Sequence, residues 1–227
     1  MHRLPFRPNV SAVLFAVFAA AIIAIFFVRH ANGSINGILK GQQIADERGC
    51  LQCHHPSGKN NHPKAPYIVG QKKKYMILQL KRFRQIQPAP SDMKRVAERH
   101  HSFMDKQSKS MTDSEITMVA EFFASFKCIP VGSANAKRLP APVKAKQCAF
   151  CHGPTGVNPY AVYPNIAGQK EQYIIEQLSA FRESARHEGQ GLVKDKRFHR
   201  MMSPSVIAVT DQEIKDLADY YSKQNCE

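Results

Sequence analysis

Cys50-Leu51-Gln52-Cys53-His54 and Cys148-Ala149-Phe150-Cys151-His152 decide the reading of this 227-residue chain. Two thiols three positions apart, followed at once by histidine, form one chemical unit, and the unit occurs twice at an offset of 98 residues. The offset persists without a gap. Pro66, Ile68, Gly70, Gln71, Lys72 and Tyr75 recur as Pro164, Ile166, Gly168, Gln169, Lys170 and Tyr173. Gln79, Leu80, Phe83 and Arg84 recur as Gln177, Leu178, Phe181 and Arg182, and Arg99, His101 and Met104 as Arg197, His199 and Met202. The series closes with Thr112, Asp113, Glu115, Ile116, Ala120 and Cys128 against Thr210, Asp211, Glu213, Ile214, Ala218 and Cys226. Such self-similarity means one module duplicated. The expected domains are residues 36–129 and 143–227, joined by a linker at 130–142 where Gly132, Ser133, Pro140 and Pro142 interrupt regular structure.

Each module reads as helical. Thr112-x-x-Glu115 and Thr210-x-x-Glu213 have the capping-box pattern, in which threonine and glutamate satisfy each other's free backbone N–H. Behind them Ile116, Val119, Ala120 and Phe123, then Ile214, Leu217, Ala218 and Tyr221, repeat at i, i+3, i+4, i+7, which makes one apolar stripe per helix. A second helix is expected at about Lys72–Arg84, with its copy at Lys170–Ala185. No strand alternation is evident, so the expected fold class is all-α.

Cys-x-x-Cys-His is the spacing for covalent haem attachment: Cys50 and Cys53, and Cys148 and Cys151, meet the porphyrin, while His54 and His152 face iron. A four-cysteine zinc site leaves the two histidines unexplained, and a redox dithiol would need a βαβ setting. Two covalently bound haem c groups are therefore expected. Met104 and Met202, equivalent in the repeat, are the expected sixth ligands. A thioether opposite histidine raises the potential and closes the iron to substrates. Met201 competes in the second copy, but its counterpart is Phe103, which cannot ligate. His101 and His199 are the alternative pair and would give a lower potential. Modules this small bury limited core, so each is expected to lose its fold without its porphyrin. Cys128 and Cys226 follow the last helices and either join across the modules or remain separate.

With Pro164-Asn165-Ile166-Ala167-Gly168-Gln169, Tyr173, Gln177-Leu178 and Phe181-Arg182, and more loosely Pro66-Tyr67-Ile68-Val69-Gly70-Gln71, the chain resembles the cytochrome c4 family of dihaem class I cytochromes c over residues 38–225. The resemblance implies two tandem class I domains related by pseudo-twofold symmetry, with adjacent haem edges. It also implies service as a periplasmic electron donor to a terminal oxidase. Two features depart from the family. Pro140 and Pro142 leave little room for a helix before Cys148, and an apolar N-terminal run is present.

That run, Val10–Val28, has no charge and one polar residue, Ser11. Nineteen helical residues come close to the roughly 30 Å of a bilayer core, and Arg3 and Arg7 before it keep the N-terminus cytoplasmic. A cleaved signal peptide would have a shorter apolar region. Residues 1–30 are thus expected to be a single-pass inner-membrane anchor, with the haem domains in the periplasm. The formal net charge of +14 suits an acidic partner, such as a terminal oxidase or a quinol-oxidising complex, and export argues against nucleic acid. Lys94, Arg95, Arg99, His100 and His101, with Lys194, Lys196, Arg197, His199 and Arg200, crowd both methionine segments. An electron carrier is expected, with a peroxidase-like enzyme holding a substrate-accessible haem, or an assembly subunit, as alternatives.

Overall fold

Thr112 and Thr210 start the two helices around which the chain is organised. The computed structural model describes residues 23, 35–57, 62, 64–84, 97–128, 140–187 and 197–226. Both capping boxes form as the sequence requires. Thr112 Oγ1 accepts from Glu115 N at 3.2 Å while Thr112 N donates to Glu115 Oε2 at 2.7 Å, and the corresponding distances at Thr210 and Glu213 are 3.2 and 2.8 Å. Each cap stabilises its helix by about 1 kcal/mol.

In chain order the elements are α1 (35–47), α2 (Cys50–Cys53), α3 (Lys73–Arg84), β1 (Ala97–Arg99), α4 (Ser102–Ser108) and α5 (Asp113–Ala124). The second copy supplies α6 (Ala145–His152), α7 (Glu171–Arg186), β2 (Arg197–His199), α8 (Met202–Val206) and α9 (Asp211–Ser222). α3 packs on α5 and α7 on α9. The stripe residues are buried throughout, joined by Phe122 and Tyr220, whose positions lie beside the stripe. At roughly 1.5–3 kcal/mol for each large apolar side chain, these two cores supply most of the local driving force. Arg84 and Arg182 tie the paired helices together. Each donates to a carbonyl (Met111 O and Val209 O, both 2.8 Å) and to the first aspartate of the capped helix (Asp113 and Asp211, both 2.5 Å).

The all-α expectation needs one correction. β1 and β2 form a two-stranded antiparallel ladder, with Ala97 opposite His199, Glu98 opposite Phe198 and Arg99 opposite Arg197. Three residues are too few to show an alternating pattern, and the pairing runs between modules, so neither copy carries the signal alone. Arg99 and Arg197 are themselves related by the 98-residue offset, which places the pseudo-twofold axis between them. Cys128 and Cys226 bond across the same axis, with Cα atoms 6.1 Å apart.

The copies differ at their starts. α1 precedes the first cysteine pair and crosses α5 closely: a Cβ on Gly41 would lie 2.1 Å from Met118 O. The second cysteine pair is reached after only three residues of α6, consistent with the restriction that Pro140 and Pro142 impose. The apolar run Val10–Val28 lies outside the described residues, as does most of the 130–142 linker. Among the described residues no helix is long and apolar enough to cross a membrane.

Arg48, between α1 and α2, donates to Glu115 Oε1 at 2.7 Å. This bond, followed by those from Thr112, holds the Glu115 carboxyl down at about 2, against an ordinary value of 4.5. A depressed carboxylate stabilises the fold above its unfolded value, and that stabilisation is lost as pH falls through its folded value. The melting-temperature deficit of Glu115→Gln is therefore expected in full above pH 4.5 and to fade towards pH 2, as read by circular dichroism melts.

Candidate functional site

Gly49 adopts a left-handed conformation (φ 69°) and turns the chain from α1 into the four-residue α2, whose ends are Cys50 and Cys53. His54 caps that helix, its backbone N–H returning to Cys50 O. In the second copy α6 carries Cys148, Cys151 and His152 on consecutive turns. All four thiols are half-buried and outside any disulfide, and Cys148 Sγ donates to Lys144 O at 3.5 Å. They stand as two separate pairs: among the described residues no group of three or more His, Cys, Asp or Glu could share one ion. Burial pushes the Cys50 and Cys148 thiols up, which keeps them protonated.

The two histidines are oriented alike. His54 Nδ1 lies 2.9 Å from Pro66 O, and His152 Nδ1 lies 3.1 Å from Pro164 O. A carbonyl only accepts, so Nδ1 carries the proton and Nε2 keeps its lone pair. This second-shell bond is the usual way of fixing a ligating imidazole. Burial, outweighing that bond, holds His54 down at about 4, and also lowers His152. Each site thus presents two thiols and one neutral imidazole nitrogen beside an apolar cluster. Cys50 borders the core of Ile116, Val119 and Phe123, and Cys148 that of Ile214, Leu217 and Tyr221. These donors fit a covalently attached porphyrin.

Met104 and Met202 sit at corresponding places, in the first turns of α4 and α8, both half-buried, and Met202 borders the second core. Exposed Met201 points away from that role, with 59% of its surface accessible. His101 and His199 have a use that the sequence did not disclose. His101 Nδ1 accepts from Met104 N at 3.4 Å, and His199 Nδ1 accepts from Met201 N at 3.3 Å and Met202 N at 3.5 Å. Burial and then Arg82, Arg197 and Arg200 lower His199, keeping it a neutral acceptor. Of the basic cluster, Lys94, Arg95, Lys194 and Lys196 lie outside the described residues.

Between the two sites lies a reciprocal polar seam. Gln71 donates to Asn165 O at 2.8 Å and accepts from Asn165 N at 2.9 Å; Gln169 does the same with Tyr67, at 2.9 Å each way. Arg99 donates to Gln79 and to Tyr173 of the other module (2.6 and 2.8 Å) and lies over the Phe83 ring at 4.3 Å. Arg197 mirrors it, on Gln177, on Tyr75 at 2.9 Å and over Phe181 at 4.4 Å. Burial alone would raise the Tyr173 phenol, but Arg99 and Arg197 bring it below its ordinary range. Apart from Tyr67 and Asn165, which differ between the copies, these residues appear in the sequence as matched partners of the repeat offset, and of them only Arg99 and Arg197 carry an expectation there, as members of the basic cluster. Polar identity at a fixed offset was the signal for an interface between copies.

The cytochrome c family model matches residues 38–127 and again 141–224. Over 175 residues the chain is 27% identical to cytochrome c4 of Azotobacter vinelandii, spanning 71% of this chain and 81% of that one. It is 36% identical over 92 residues to a thiosulfate dehydrogenase electron acceptor of Thiomonas intermedia, a match covering 40% of this chain and 37% of that one. The solved structure of Acidithiobacillus ferrooxidans cytochrome c4 superposes with a TM-score of 0.58 at 26% identity, covering 77% of this chain and 97% of that one.

Proposed function

The chain belongs to the cytochrome c family, with the dihaem organisation of the cytochromes c4 and two covalently bound haem c groups, and from that premise we propose that it is a tethered electron relay. Cys50 and Cys53, with Cys148 and Cys151, form the thioethers; His54 and Met104 ligate one iron, His152 and Met202 the other. When bound, each haem supplies a one-electron couple. The protein's part is to hold the imidazole by Pro66 O or Pro164 O, to place the methionine through His101 or His199, and to fix the two sites against each other. The observation that carries the reading is the seam of Gln71, Gln169, Arg99 and Arg197, which locks two equivalent donor sets across one axis. A rigid seam suits transfer from one site to the next, and thioether ligation leaves no open position for a substrate.

The domains are residues 36–129 and 143–227 about the linker 130–142. The run Val10–Val28 supports a signal-anchor that keeps the carrier at the periplasmic face of the inner membrane. The +14 charge supports an acidic redox partner, a terminal oxidase or a dehydrogenase of the kind named for the Thiomonas relative.

Exchanging each methionine for histidine tests the ligand set. Met202→His is expected to abolish the far-red charge-transfer band of one haem and lower its potential by on the order of 100 mV, leaving the other unchanged. Met104→His should act on the opposite haem. A potential and spectrum untouched by both substitutions would overturn thioether ligation.

A further inference from the structure

The seam meets each haem site at a single peptide group. His54 Nδ1 donates to Pro66 O at 2.9 Å, and the N–H of the same peptide unit, on Tyr67, donates to Gln169 Oε1 at 2.9 Å. The second copy repeats the line, with His152 Nδ1 on Pro164 O at 3.1 Å and Asn165 N on Gln71 Oε1 at 2.9 Å. In a trans peptide the C=O and N–H point to opposite sides, so one unit joins the imidazole on one flank to the glutamine on the other. Each glutamine belongs to the opposite module from the histidine it reaches. Both are buried, at 8% exposed, and each is held by a second N–H on Oε1, from Lys170 at 3.1 Å or Lys72 at 3.0 Å. The repeat keeps the glutamines but not the residues they bind, since Tyr67 stands opposite Asn165 in the offset. What is retained is an acceptor for a backbone N–H whose own carbonyl holds the histidine.

We propose that Gln169 and Gln71 are crossed positioning residues, each setting the electron-donating strength of the axial histidine in the other module. The proposal rests on the reading above of His54 and His152 as iron ligands. Drawing on the Tyr67 N–H shifts amide electron density to Pro66 O, because resonance couples the two ends of the peptide. Hydrogen bonds in such a chain strengthen one another. A more negative Pro66 O pulls harder on the Nδ1 proton and makes Nε2 a stronger donor, which favours ferric over ferrous iron. Gln71 acts in the same way through Pro164 O on His152. Each iron's potential thus carries a contribution from the module that does not bind it. Burial of the two glutamines keeps water from taking their place.

The test titrates the full-length holoprotein and its variants in detergent, following each haem by the nuclear magnetic resonance signals of its own thioether cysteines. Gln169→Leu removes the acceptor while the Cys128–Cys226 bond keeps the modules joined. It is expected to raise the potential of the haem at Cys50 and Cys53. The ferric-to-ferrous ratio there should fall about threefold at a fixed poise, or roughly 28 mV at about 59 mV per decade for one electron. The haem at Cys148 and Cys151, in the module that carries the substitution, should keep its potential. Gln71→Leu should act the other way round. The Nδ1 proton signal of His54 should move upfield in Gln169→Leu, and that of His152 in Gln71→Leu. Gln169→Glu keeps an oxygen on the Tyr67 N–H whether ionised or protonated, so the first haem's potential should hold or fall. A glutamine that only fills space would let Glu and Leu act alike. Potentials that shift in the substituted module, in both modules equally or in neither would overturn the crossed assignment, as would a rise with Gln169→Glu. Ligation is read separately, from the ring-shifted proton signals of His54 and His152 in the ferrous protein. If these are missing from the unmutated protein, the ligand reading fails and the proposal with it. If they persist in every variant while the potentials do not cross, the proposal alone fails.

Discussion

Replacing Cys148 and Cys151 together by serine is expected to unfold residues 143–226 as a unit while the first module keeps its haem and its structure. The cysteines themselves are only half-buried, so the hydroxyl exchange costs little in packing. What is lost is the attachment of the group against which the second core is built. That core consists of Ala145, Ile174, Phe181, Val206, Val209, Ile214, Leu217, Ala218, Tyr220 and Tyr221, with Cys148 and Met202 at its border. A module of this size has a total stability of about 4–12 kcal/mol, and among the described residues no counterpart of α1, which braces the first module at Gly41, is present to support it. The porphyrin's apolar faces are a large fraction of what the core can bury. Absorbance per chain should fall by half, helical circular dichroism should drop, and proteases should cut within 143–226. The disulfide to Cys128 would keep the unfolded segment attached. A variant with one haem and an intact, cooperative second melting transition would show that polypeptide packing alone holds the module.

Much of this architecture was legible in the sequence, and for a physical reason. Caps and stripes are local: Thr112 and Glu115 need only each other, and Ile116 to Phe123 need only a helical period. Covalent attachment is local too, since Cys50, Cys53 and His54 lie within five residues. The features that escaped are those made between copies. Arg99 finds Tyr173, and Arg197 finds Tyr75, only after two folded modules meet, and three-residue strands have no period to read. His101 and His199 escaped differently. Their chemistry suits both ligation and capping, and only the contacts from the methionine amides, at 3.4 and 3.5 Å, revealed the second use. The Cys128–Cys226 pairing stood open because spacing cannot supply a Cα separation, which is 6.1 Å here. The offset nevertheless named Gln71, Gln169, Arg99, Arg197, Tyr75 and Tyr173 in advance, whereas Tyr67 and Asn165 differ between the copies and join the seam through their backbone.

Gly70 and Gly168 occupy the same place in the repeat, yet alanine should cost far more at the first. Both have a left-handed backbone, with φ of 70° and 66°, and both donate to the carbonyl at the end of the capped helix (Phe123 O at 3.0 Å, Tyr221 O at 2.9 Å). Alanine at either position therefore carries the left-handed strain of about 1–2 kcal/mol. The surroundings differ. A Cβ on Gly168 would lie no nearer than 3.5 Å to its neighbours, an ordinary contact, whereas on Gly70 it would lie 2.4 Å from Cys128 N and 2.7 Å from Cys128 Cα. Those are backbone atoms of a disulfide cysteine, pinned by Cys226, and they cannot swing aside as a side chain would. Relief requires moving either the end of α5 or the Gln71 amide that binds Asn165. Gly70→Ala is thus expected to cost about 3–5 kcal/mol, or roughly 6–20 °C in melting temperature at 2–4 °C per kcal/mol, and Gly168→Ala about one third of that. Reducing the disulfide frees Cys128, so it should lessen the Gly70→Ala deficit and leave that of Gly168→Ala unchanged. Equal melting shifts for the two substitutions, with or without reductant, would mean that the cross-module staple does not hold the Gly70 turn in place.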